Sequence, residues 1–79
     1  MIIKVTEKHI KKGVPNDGFN CPVNLAIRDV TELPEVRVGN DQVSIGGKIY
    51  ALPQKVVDWL TNLDNGEPVD CIEFEIVEM

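Results

Sequence analysis

The stretch EVRVGNDQVSIGGKIYAL, residues 35–52, decides the fold. Val36 and Val38 alternate with polar neighbours, Val43 and Ile45 do the same, and KIYAL follows. Alternation of period two places one face of each run in a core and the other in water. Gly39-Asn40-Asp41 breaks the first run from the second. Gly46-Gly47 sits between the second and third runs, a two-residue hairpin signal because both positions of such a turn need positive φ. The expected result is a three-stranded antiparallel meander. If the glycine pair instead made a bulge in one long strand, the chain would read βαββαβ, the ferredoxin-like order.

The flanking segments supply helices and closing strands. IIKV, residues 2–5, is β-branched and reads as a strand, with Ile3 and Val5 on one side. Thr6 caps a short helical turn, EKHIKK, closed by Gly13. The loop VPNDGFN then leads to Asn20, an N-cap for a helix from Cys21 to about Val30, with Pro22 in its first turn. Val23, Ile27 and Val30 recur at helical spacing, which leaves Asn24, Arg28 and Asp29 toward water. Pro53 opens a second helix whose stripe is Val56, Trp59, Leu60 and Leu63, ended by Gly66 and Pro68. VDCIEFEIVE closes the chain as a strand, Ile72, Phe74 and Ile76 facing one way and Cys71, Glu73, Glu75 and Val77 the other. The expected architecture is α+β, β-α-βββ-α-β: one mostly antiparallel sheet with two helices on its apolar face.

Seventy-nine residues make one domain, residues 1–79. A single small core carries it, and an oligomer interface is a common supplement at this size. Two cysteines and one histidine cannot fill a four-ligand zinc site within one chain, so no metal and no cofactor is expected. No segment has the length of a signal-peptide core or a membrane span, and a reduced, cytoplasmic protein is expected. The net charge is −5 and is unevenly spread. Lys4, Lys8, Lys11 and Lys12 cluster near the start, while residues 58–79 hold seven acids and no base. The basic stretch is short and has no interleaved aromatics, which disfavours direct nucleic-acid binding.

Three groups of residues carry candidate chemistry. The mouth of the Cys21 helix offers unpaired N–H groups, and Lys8, Lys11 and Lys12 precede the loop that leads to it. With His9, Asn20 and Cys21 they form a candidate site for a phosphate or nucleotide-like ligand, although no P-loop or spaced-glycine motif is present. Asp70, Glu73 and Glu75 form an acidic surface that could meet a host protein in place of a nucleic-acid backbone. Cys21 and His9 are the minimum for a thiol enzyme, but no third, orienting group is assignable, and a catalytic role is not expected.

VTEKHI, CPVNLAI, LPQKVVDWL and LDNGEPV, with the alternating strand that follows, together resemble a group of small phage- and prophage-encoded proteins of unknown function. The resemblance runs from about Val5 to Ile76 and includes Glu7, His9, Cys21, Pro22, Leu52, Pro53, Val56, Asp64, Gly66, Pro68 and Val69. It implies no particular activity. Small phage proteins without a catalytic motif often bind a host component, including components of anti-phage defence. The expectation is therefore a non-enzymatic, oligomeric binding protein that sequesters a nucleotide-type signal. The alternatives are an acidic decoy for a nucleic-acid-processing protein, or a structural or regulatory phage protein with no ligand.

Overall fold

Gly46 and Gly47 both adopt positive φ, 55° and 86°, in a computed structural model that describes residues 1–79. These are the angles of a type I′ turn, and Ile45 pairs with Lys48 across it. The hairpin reading therefore holds, and the ferredoxin-like alternative, which needed one long bulged strand, does not. The elements in chain order are β1 (Ile2–Val5), α1 (Glu7–Lys12), α2 (Pro22–Thr31), β2 (Val36–Val38), β3 (Gln42–Ile45), β4 (Lys48–Ala51), α3 (Gln54–Asp64), β5 (Ile72–Glu75) and β6 (Val77–Glu78).

The α+β class is as expected, with two differences of architecture. The expected helical turn at residues 7–12 is a third helix. The single sheet is two antiparallel sheets, β1-β5 and β2-β3-β4-β6. The expected closing strand runs through both: residues 72–75 pair with β1, and residues 77–78 pair with β4. Ile76 marks the division, its N–H donating to the Met1 carbonyl at 2.9 Å. One extended segment thus stitches the sheets together. Period-two alternation continues unbroken across it, so nothing local announces the split.

The apolar stripes converge on one core. Ile3, Val5, Phe74 and Ile76 meet Val36, Val38, Val43 and Ile45, with Val23, Ala26 and Ile27 from α2 and Val56, Trp59, Leu60 and Leu63 from α3. Trp59 Nε1–H donates to the Asp70 carbonyl at 2.8 Å, so the one tryptophan is buried with its polar atom satisfied. Helix α3 ends in a complete Schellman motif: Gly66, at φ 78°, donates to Leu63 O at 3.0 Å and Glu67 donates to Asn62 O at 2.9 Å.

Helix α2 departs from its expected pattern in three ways. It begins at Pro22 with Cys21, not Asn20, as the N-cap residue. Val30 has the right angular position for the core but is 52% exposed, because the buried residues all lie between Pro22 and Ile27. Asn24, expected to face water, is 0% exposed. Its Nδ2 donates to Gly18 O at 2.8 Å and to Val36 O at 2.7 Å. Gly18 O also accepts the Val38 N–H at 2.9 Å, and the Val36 N–H goes to Pro34 O at 3.1 Å. The outer edge of β2 is therefore closed by a side chain and a loop rather than by another strand. Gly18 is required at this approach, since a Cβ there would lie 2.5 Å from Val38 O.

Candidate functional site

Alternation that buries Val36, Val38, Val43 and Ile45 turns Arg37, Ser44 and Ile49 outward, and the register sets these three side by side across the meander. This row floors an open cleft of about 880 Å³. Val57, Thr61 and Asp64 of α3 form one wall, and the loop from Asn16 to Cys21 forms another. The loop is fastened to the end of α3 by Asn16, whose N–H donates to Asp64 Oδ1 at 2.9 Å and whose Nδ2 donates to Asp64 O at 3.1 Å. Asp17 braces it internally, accepting the Phe19 N–H at 2.9 Å and Asn20 Nδ2 at 3.1 Å. Its hydrogen bonds from the Asn20 side chain and the Phe19 backbone hold its carboxyl below the ordinary value. Phe19 projects from the loop, 60% exposed, with the Arg37 guanidinium 5.7 Å from its ring centroid.

The expected anion site does not assemble. Cys21 reaches the cleft but is only 3% exposed, and the carboxylates close enough to act on its thiol are Asp64 and Asp17. Burial pushes that thiol up, the Asn24 and Val23 N–H groups pull it back in part, and the two carboxylates add to the rise. The helix mouth is thus faced by acids, and none of Lys8, Lys11 and Lys12 lines the cleft. Lys8 and Lys12 act instead on Asp29, and Lys11 borders a separate small groove with Asp70 and Cys71. Asn20 is spent in the loop, bonding Asp17 through its side chain while its carbonyl accepts the Val14 N–H at 2.8 Å. Sequence proximity put the lysines near the loop, but α1 turns their side chains elsewhere.

His9 is committed at both ring nitrogens. The Thr6 amide can only donate, so Nδ1, at 3.0 Å from it, is the acceptor. The ring proton then sits on Nε2 and points at Asp29 Oδ2, 2.6 Å away. This hydrogen bond holds the Asp29 carboxyl below its ordinary value. His9 thereby caps α1 and ties it to α2, and neither nitrogen is free to activate Cys21.

The acids near the chain's end are partly answered by cations. Glu73 lies 3.9 Å from Lys4, its cross-strand partner, and Glu75 lies 3.8 Å from the Met1 amino group. Glu78 lies 4.0 Å from Lys48. These exposed pairs contribute little stability, but they dilute the acidic face. Asp70 is exposed and contributes its backbone carbonyl to Trp59. No helix is long and apolar enough to cross a membrane.

Residue-by-residue reading missed Asn16, Arg37, Ser44, Thr61 and Asp64, which sit in the cleft. For Arg37 and Ser44 the signal was present, since both occupy outward positions of the meander. Comparison with models of protein families, with curated proteins and with solved structures finds no match to this chain.

Proposed function

We propose that the protein acts by binding rather than by catalysis, and that its ligand occupies the cleft over the outer face of the meander. The observation that carries this reading is the concavity itself: about 880 Å³, walled by three separate segments and offering Asn, Gln, Ser and Thr side chains around Arg37. The catalytic alternative has less support, because His9 is used at both nitrogens and the Cys21 thiol is buried and pushed away from the thiolate. Asp17 and Asp64 at the loop end disfavour a phosphate chain there and favour a neutral or cationic group. A nucleoside-like molecule or a polar protein segment suits the cleft better than the nucleotide expected from the lysines. By analogy with small phage proteins, the ligand is a host component and binding blocks a host defence. The acidic-decoy reading is weaker, since Glu73 and Glu75 each face a positive group.

Amide chemical-shift mapping tests the site. Nucleotides, nucleosides and basic peptides are titrated separately into labelled protein. Shifts centred on Arg37, Ser44, Ile49 and Thr61, lost in Ser44→Trp and kept in Lys11→Glu, support the cleft. Shifts centred on Lys8, Lys11 and Lys12, or on Glu73 and Glu75, overturn it.

A further inference from the structure

Met1 and Ile76 exchange hydrogen bonds at one end of the β1-β5 pair. In an antiparallel ladder bonded pairs alternate, so Ile3 and Val5 also bond toward β5, and the N–H and C=O groups of Ile2 and Lys4 point outward. No loop or side chain bonds to them. Two of the other edges, β2 and β5, are engaged by the rest of the chain. Gly18, Asn24 and Pro34 close β2, and Lys55 Nζ donates to Glu73 O on β5 at 2.7 Å. The open edge also carries exposed apolar surface, with Ile2 49% exposed and Met1 beside it.

We propose that β1 is a self-association edge that pairs antiparallel with β1 of a second copy about a two-fold axis at Ile3. The outward groups are self-complementary in that register: Ile2 of each copy meets Lys4 of the other, closing four backbone hydrogen bonds. Moving the axis to Lys4 would set the two lysines directly opposite, and moving it to Ile2 would halve the bonds. Charge favours the same register. Ile2 is the cross-strand partner of Glu75, and Lys4 of Glu73. The row across the join then reads Glu73, Lys4, Ile2, Glu75, so each lysine keeps its own acid on one side and meets an apolar residue of the second copy, not its lysine, on the other. The pairing also converts a two-stranded sheet, marginal by itself, into a four-stranded one.

Sedimentation of the intact protein over a concentration series, with amide hydrogen exchange, tests this. The expected result is a twofold rise in mass with concentration, accompanied by slowed exchange at Ile2 and Lys4. Ile2→Pro removes an outward N–H that the β1-β5 ladder does not use, and it should return the mass to that of the single chain. Lys4→Glu, which sets an acid beside Glu73 and puts two acids on the diagonal across the join, should weaken the dimer without touching the backbone. A single-chain mass at every concentration overturns the proposal. So does a dimer that survives both variants, or one in which the Ile2 and Lys4 amides exchange freely.

Discussion

Replacing Asn24 should destabilise the fold about as much as truncating a buried aliphatic residue of α2. Its side chain is fully buried and closes the β2 edge with two donated hydrogen bonds, 2.8 Å to Gly18 O and 2.7 Å to Val36 O. In Asn24→Ala the two acceptors fare differently. Gly18 O keeps the Val38 N–H and loses only a second bond, about 0.5–1 kcal/mol. Val36 O loses its partner inside the protein and bears the larger penalty of a buried unpaired carbonyl, about 1–3 kcal/mol. The sum is roughly 1.5–4 kcal/mol, offset in part because the amide's own buried Oδ1 has no partner to lose, against a total stability of roughly 4–12 kcal/mol for a chain of this length. Asn24→Asp should be worse near neutral pH, because a carboxylate then faces two carbonyl oxygens with nothing to donate. Its folded-state pKa is raised above the unfolded value, so the added penalty is present at neutral pH and fades as pH falls through the carboxylate range. Urea unfolding followed by the fluorescence of Trp59, the only tryptophan, measures both variants. A loss below about 0.5 kcal/mol for Asn24→Ala, or an Asp variant no worse than Ala at neutral pH, would refute the view that this amide holds the edge closed.

Two further outcomes follow from the titrating groups. His9→Ala should move the Asp29 titration up toward the ordinary carboxylate value, read by carboxyl NMR. Because the Asp29 pKa is depressed in the fold, its contribution is present above the unfolded value and lost as pH falls through the folded one. Asp29 is largely exposed, so that contribution stays below about 1 kcal/mol. With a thiol reagent at neutral pH, exposed Cys71 should react at least about tenfold faster than buried Cys21, resolved by peptide mass mapping. Faster labelling of Cys21 would restore the thiol-enzyme reading.

What was legible in the sequence was what short-range patterning controls. The Gly46-Gly47 hairpin needed only two adjacent residues with access to positive φ. The Val56, Trp59, Leu60 and Leu63 stripe needed only helical period, and all four are buried. The failures come from partners distant in sequence. Asn24 is polar and was sent to water, but a loop carbonyl and a strand carbonyl twelve residues on make its burial favourable. His9 looked available as a base, but Asp29, twenty residues away, and the Thr6 amide occupy both nitrogens. The lysines were placed at the Cys21 helix because the chain passes from one to the other. Side-chain direction on a six-residue helix, not chain proximity, decides where charge accumulates.

The cleft and the open edge belong to different sheets. The cleft floor comes from β2, β3 and β4, and the edge from β1. A pair joined at β1 therefore keeps both clefts, and a partner with two copies of the bound feature would gain avidity without any new contact. The two roles can be separated by mutation: Ser44→Trp fills the cleft and leaves the β1 backbone untouched, whereas Ile2→Pro does the reverse. Weakened binding of a repetitive partner by Ile2→Pro, with single-site binding unchanged, is the signature of two independent sites on one small fold. Loss of single-site binding in Ile2→Pro would instead mean that the cleft is complete only in the pair.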